Sequence, residues 1–229
     1  MTAPSLVHTS LFHVGRIELW GCGLGADTPG APSLPAGFVV ERIGTGSAPA
    51  AHARLVEAMA ATPTAEIDRR LAAGSRAYGV RIDEAVVAYA WVSFGAERVE
   101  EIEGAIQMDP GQAYVWDCAT APAWRGRGLY PALLRTVARE LSAEGLTWLW
   151  IAARVDNAPS LRGFVKADFV PVAEVRYVRL WRWRRLAVRA DPAAAPAAVA
   201  RARLAFGGPR RELARGGQTI PPGEAGAFR

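Results

Sequence analysis

Residues Thr120 to Pro131, reading TAPAWRGRGLYP, constrain this chain more than any other stretch. An alternating apolar segment, Ala113 to Ala119, leads into it and predicts a strand. A segment with Leu133, Leu134, Val137, Ala138 and Leu141 at helical spacing follows, predicting a helix over Leu129 to Glu144. The turn between them must be tight, and Gly126 and Gly128 allow positive φ and close backbone approach there. Pro131 falls in the first helical turn, where there is no N–H partner to lose. The orphan N–H groups and the helix dipole make this spot positive. Arg125 and Arg127 add guanidinium groups suited to a pyrophosphate. Strand, glycine turn and helix start together form a phosphate cradle, although such a turn alone reads equally well as a surface loop. No Lys-Ser/Thr follows, which excludes a P-loop, and the third glycine of a dinucleotide fingerprint is absent.

The downstream sequence decides between these readings. Leu146 to Ala153 is an apolar run that predicts a buried strand. Asn157, Ser160, Gly163, Phe164, Lys166 and Phe169 then follow in one short segment. With these two segments joined, the chain resembles the Gcn5-related N-acetyltransferases. In that family an Arg/Gln-x-x-Gly-x-Gly/Ala turn grips coenzyme A, and an Asn, a short helix and a closing Gly-Phe come later. Arg125-Gly126-Arg127-Gly128 matches the first motif, and Asn157, Ser160, Lys166 and Phe169 match the second. The resemblance covers roughly Phe38 to Val188. It implies an α/β (α+β) fold: a mixed central sheet, helices on both faces, and a splayed cleft for acetyl-CoA. The chain departs from the family pattern at four places. Tyr130 stands where the third Gly/Ala is usual, and Asp168 replaces the Gly before Phe169. Phe164 stands where many members carry a tyrosine that protonates the departing thiolate. Ala152 stands where some carry a catalytic Glu.

The length suits one sizeable domain plus extras, and 51% apolar with 21% charged residues is a globular balance. No run approaches a membrane span and no secretory signal opens the chain. With Cys22 and Cys118 as the only cysteines, a disulfide framework and a cysteine zinc site are excluded; a cytoplasmic protein is expected. The basic net charge of +5 is uneven: after residue 175, twelve arginines face only Asp191, Glu212 and Glu224. Lys166 is the single lysine.

Residues 1–36 are expected to form an N-terminal extension of short strands and loop, with Gly21 to Pro35 as loop. His8 and His13 lack a third ligand in phase for a metal. Residues 37–188 are the expected transferase domain. It contains a strand at Phe38 to Ile43, helices at Pro49 to Ala60 and from Thr64 (capped by Thr62 or Thr64), and a hairpin over Arg76 to Phe94. The acidic run Glu97 to Glu103 reads as a solvated face or as a lining of the acceptor cleft. Val170 to Val188 predicts one or two final strands. Within it, Trp181 to Arg185 reads as an arginine-guarded edge or as a nucleic-acid patch. Residues 189–229 are expected to begin with an Ala-rich helix. From about Arg210 they form a Gly/Pro/Arg tail outside the catalytic core.

The resemblance implies an acetyl-CoA-dependent N-acetyltransferase acting on a primary amine of a small molecule or protein, with no metal. It places the pantetheine arm along Cys118, Ala119 and Thr120, the pyrophosphate on Arg125, Gly126, Arg127, Gly128, Leu129 and Tyr130, and Asn157 and Ser160 beside the pantetheine arm and the thiol end. An alkylammonium must lose a proton before it attacks. Asp117 and Tyr114 on the central strand, then Glu103, are the candidate bases. A purely structural role for Asp117 in the sheet fits equally well. Two other classes stay open: a coenzyme-binding module without turnover, and an arginine-tailed nucleic-acid or ribosome binder. No membrane partner is expected, and a homodimer is left open.

Overall fold

The computed structural model describes residues 12–26, 28, 34–180 and 183–207. In chain order its elements are β1 (Phe12–Gly23), β2 (Phe38–Ile43), α1 (Pro49–Ala58), α2 (Thr64–Ala72), β3 (Arg76–Ile82), β4 (Ala85–Ser93) and β5 (Ala96–Val99). Then come β6 (Gly104–Gln107), β7 (Gln112–Thr120), α3 (Leu129–Ala143), β8 (Trp148–Arg154), α4 (Ala158–Lys166), β9 (Val170–Leu180), β10 (Trp183–Ala190) and α5 (Pro196–Gly207). Eight strands form one sheet in the order β10-β9-β1-β8-β7-β4-β3-β2, and β5 and β6 form a separate hairpin. In the large sheet β7 and β8 pair in parallel. Its other neighbours are antiparallel.

Alternation along the strands divides the core between the two sheet faces. On one face Ala113, Val115, Leu149 and Ile151 meet Leu133, Leu134 and Val137 of α3 and Phe164 of α4. The other face is covered in two parts. At one end α1 and α2 place Leu55 and Ile67 over Ile43, Ala77 and Trp91. At the other end the β5–β6 hairpin and α5 cover Ile17, Leu19, Trp150 and Val175 with Ile102, Ile106, Ala198 and Ala202. The two covers flank the middle of β7, and Trp116 is partly buried against both. Among the described residues no helix is long and apolar enough to cross a membrane.

Local chemistry explains most boundaries. Pro49 opens α1, where its missing N–H is harmless. α2 follows Pro63 with no side-chain cap, which corrects the expected Thr62 or Thr64 cap. Its first turn is fixed instead by Glu66, which reaches Arg69 at 2.7 Å and Arg70 at 2.9 Å. The acidic run forms the β5–β6 hairpin around a 3-10 turn at Glu100–Ile102. The Ala-rich segment is helical, as α5, and packs through Ala198, Ala202 and Ala205.

The largest difference from the sequence reading lies in residues 1–36. β1 is twelve residues long and runs inside the sheet between β8 and β9. Of the glycines expected in the loop, Gly21 and Gly23 are strand positions. A Cβ on Gly21 would sit 2.4 Å from Trp148 Cζ2, and one on Gly15 1.9 Å from the Glu101 carbonyl oxygen. Their purpose is close approach rather than turning. β10 is an edge strand of the sheet. Trp181 and Arg182, His8, and the tail from Arg210 lie outside the described residues.

Candidate functional site

The parallel ladder between β7 and β8 stops at Val115 and Ile151. β7 continues to Thr120 because β4 holds its other edge, pairing Tyr89 with Ala119 and Ala88 with Thr120. β8 continues to Arg154 because β1 holds it, pairing Leu19 with Ala152 and Ile17 with Arg154. Two strands pinned on their outer edges thus diverge, and on the gap side residues 116–120 have no β8 partner. Backbone groups left unpaired there can hydrogen-bond an extended ligand.

A bulge sits at the top of the gap. The β4–β7 register shifts between Tyr89 and Trp91, and Asp117 takes φ of +42°. Such a bulge re-aims a side chain, and Asp117 is turned toward α2. There Arg70 Nη1 lies 2.5 Å from Asp117 Oδ2. The Arg70 guanidinium stacks 4.5 Å from the Trp116 ring centroid and 5.2 Å from that of Trp91. Tyr89 joins this wall; burial, with a smaller contribution from Asp117, pushes its hydroxyl up to about 12. Below it, Trp116 Nε1 donates to Ser93 Oγ at 2.8 Å, and Ser93 Oγ donates to Glu97 at 2.6 Å.

The glycine turn closes the same end of β7. After a 3-10 turn at Pro122–Trp124, Gly126 and Gly128 take φ of +78° and +76°, and α3 starts at Leu129 with no side-chain cap. No atom lies within 4 Å of a Cβ built on either glycine. The pair therefore serves the turn geometry, and the space over the helix start is open. Arg125 donates from Nε to the Thr120 carbonyl at 3.1 Å, and Arg127 lies 4.7 Å over the Trp124 ring. Uncapped N–H groups beside two arginines suit an anion.

Tyr130, one residue into α3, fills the space between α3 and α4. A Cβ on Gly163 would lie 2.6 Å from its Cδ1, and its ring is 6.4 Å from that of Phe164. It packs against the same core as the Cys118 thiol. Burial pushes that thiol up to about 12, so it stays protonated. Burial raises Tyr130 as well.

The fold thus brings the expected coenzyme residues Cys118, Ala119, Thr120 and Arg125 to Tyr130 to one end of the gap. Asn157 and Ser160 lie at the start of α4, where Asn157 accepts from the Ser160 N–H at 3.3 Å and caps the helix. The three expected catalytic residues separate. Asp117 stands at the bulge. Tyr114 is 4% exposed among Trp150, Ile106 and Met108, where burial raises its pKa. Glu103 accepts from Tyr177 Oη at 2.7 Å. Sequence reasoning missed Arg70 and the Ser93–Glu97 pair. The Glu66–Arg70 spacing on a helix was a visible signal for the first. The second depends on strand register alone. A hollow of about 400 Å³ lined by Gly44, Thr45, His52 and Asp68 lies beside the end of β2, whose Ile43 is in register through Ala77 and Trp91 with Trp116.

Comparison with known proteins agrees with this geometry. The model of the GNAT acetyltransferase family matches residues 47–169. A GCN5-related N-acetyltransferase from Sphaerobacter thermophilus shares the fold at a TM-score of 0.51 and 16% identity, over 80% of this chain and 54% of that one. A GNAT-family protein from Novosphingobium aromaticivorans is similar at a TM-score of 0.47 and 24% identity, over 72% of this chain and 63% of that one. The chain therefore spans less than two thirds of either. No curated protein matches it significantly. The family match covers more than half of the sequence, including the cradle and both splayed strands, and the chain belongs to the GNAT family of acetyltransferases.

Proposed function

We propose that this chain transfers an acetyl group from acetyl-CoA to a primary amine by direct attack. The observation that carries the reading is the coincidence of two features: an uncapped, arginine-flanked start of α3 and the unpaired edge of β7 beyond Val115. The first suits the pyrophosphate of coenzyme A, and the second suits the amide groups of its pantetheine arm. Gly126 and Gly128 leave the pyrophosphate end open. Tyr130 narrows the passage between α3 and α4.

With the thioester in the gap, a backbone N–H of the bulge, such as that of Cys118, is suited to polarise the acetyl carbonyl. The acceptor enters from the opposite face, between α2 and the β5–β6 hairpin. Tyr89 and Trp116, both partly exposed, floor this cleft, and Glu97 and Asp117 give it negative charge, which favours a cationic amine. An alkylammonium, with a pKa of about 10.4, must be deprotonated to attack. Asp117 is the carboxylate on the unpaired stretch of β7, half exposed and held in place by Arg70. We assign it the amine proton, taken directly or through a water. Holding the two reactants across the gap supplies much of the remaining rate enhancement.

Phe164 and Ala152, which lack the catalytic groups of many relatives, favour a second reading: coenzyme binding without turnover. Calorimetry with acetyl-CoA, followed by thiol release against a panel of polyamines, amino sugars and peptide N-termini, separates the two. Arg125→Ala with Arg127→Ala should weaken acetyl-CoA binding at least tenfold, about 1.4 kcal/mol. Unchanged affinity in the folded double variant would remove the cradle from the reading.

A further inference from the structure

We propose that the open edge of β10 is a docking site for an extended segment of a partner protein in which acidic and apolar residues alternate. The segment is held by joining the sheet as a further strand. This surface is independent of the transfer chemistry above.

The large sheet has two edge strands, β2 and β10. Each offers a row of unpaired N–H and C=O groups to a chain that can match it. The two edges differ in what their charges do. On β2, Glu41 pairs with Arg54 and Arg42 with Glu144, both at 2.8 Å. On β10, Arg185 and Arg189 are exposed, and among the described residues neither has an ion pair. Register fixes what lies beside them. Val14, Val178 and Arg185 form one row across β1, β9 and β10, Arg16, Arg176 and Ala187 a second, and Glu18, Glu174 and Arg189 a third, all on one face of the sheet. Four arginines thus stand against two glutamates there, and Glu174 is already shared by Arg16 and Arg176. Val14, Val178 and Arg185 are all exposed, so no helix covers their row. Near Arg189 a hollow also holds Glu18, Glu174 and Asp191, which leaves the larger positive surplus at Arg185.

The other face of β10 is aliphatic. Leu186 is 39% exposed, and Val188 packs against the core that α5 covers. A strand laid on β10 therefore meets arginine on one side of the sheet and aliphatic side chains on the other, at alternate positions along its length. The chemistry that fits is acid and apolar residue in alternation. Main-chain hydrogen bonds supply affinity in such an arrangement, and the alternate side chains supply selection. A second copy of this edge is the poorer occupant, because β10 brings three arginines and no acidic residue of its own. Like charges brought together across a strand pair are destabilising.

The test uses the full chain and a fluorescein-labelled peptide of about ten residues, glutamate alternating with valine, with binding followed by fluorescence anisotropy. Binding should be saturable and weaken as salt rises. Arg185→Glu with Arg189→Glu should lower the affinity at least tenfold at an unchanged melting temperature, since both side chains are exposed. Only every second residue of a strand turns its N–H toward a given neighbour. Peptides N-methylated on all glutamates or on all valines should therefore behave differently, one set losing binding and the other keeping it. Absence of binding would overturn the proposal. So would equal loss from both methylated sets, or equal binding of a peptide with the same composition and its glutamates in one block, which would leave only diffuse charge attraction. Two further results would hand the edge to another occupant and overturn the proposal as well. One is dimerisation of the free chain in sedimentation that Arg185→Glu alters. The other is tighter binding of a single-stranded oligothymidylate than of the peptide, lost in the same variant.

Discussion

The two halves of the sheet are built by different rules. On one side β2, β3 and β4 follow one another in sequence and in space, and β7 closes the set against β4. On the other side the centre of the group β8-β1-β9-β10 comes from the N-terminal part of the chain, inserted between two strands more than a hundred residues downstream. The cleft needs both halves equally, because β7 is splayed from β8 only while each is held on its outer edge. One wall is therefore made from near neighbours, the other from a strand that no local pattern connects to it.

The sharpest way to break this comparison is to charge the middle of β1. Leu19 is fully buried, and an aspartate there would be an unpaired charge in the core, costing several kcal/mol against a total stability of about 5–15. Leu19→Asp should abolish cooperative thermal unfolding. The matching change on the edge strand of the other half, at exposed Val39, should shift stability by only about 0.5 kcal/mol. A near-native melt for Leu19→Asp, followed by circular dichroism, would mean that β1 is an appendage.

A smaller effect distinguishes the walls chemically. If the acceptor proton is taken on the β7 side, Asp117→Asn should lower kcat/KM for an alkylamine by roughly a hundredfold, with acetyl-CoA affinity unchanged. The loss should be smaller for hydroxylamine, which is already neutral. Full activity with an unaltered pH profile would place the base elsewhere, Glu97 being the next carboxylate to test.

The smallest effect compares one ion pair from each half. Arg69, with Arg70, holds the Glu66 carboxyl down to about 2. Arg16, 2.8 Å away, and Arg176 do the same for Glu174. A carboxyl depressed in the folded state stabilises fully above its unfolded pKa of about 4.3, and this contribution is lost as the pH falls through about 2. Glu66→Gln and Glu174→Gln should each flatten the acid limb of stability in that window by no more than about 1 kcal/mol, because both pairs are solvent-screened. Melting temperatures across pH 2 to 6 would show it, and an unchanged acid limb would mean that the pair persists in the unfolded chain.

What was legible in the sequence follows the same division. The glycine turn, the helix after it and the β3–β4 hairpin are local devices whose periodicity announces them. Residues Cys118 to Tyr130 could be placed at one site because they are nearly contiguous. The end of β1 was hidden because Gly21 and Gly23 look like loop residues until Trp148 is seen lying over them. The Arg70–Asp117 pair and the Ser93–Glu97 bond were hidden for a related reason: register across strands and helices sets them, and spacing along the chain does not encode it. Phe164 showed that an acid was missing from its usual place.

The central place of β1 also bears on how this protein comes into being. During synthesis β1 leaves the ribosome well before β8 and β9, and both of its edges stay open until those strands arrive. The first half can collapse from local contacts while β1 waits with two unpaired edges, a form open to pairing with another chain. Closing loops of this length is slow relative to hairpin formation. The cradle can therefore be shaped early, but the gap that it serves exists only after the oldest strand in the chain has found its place.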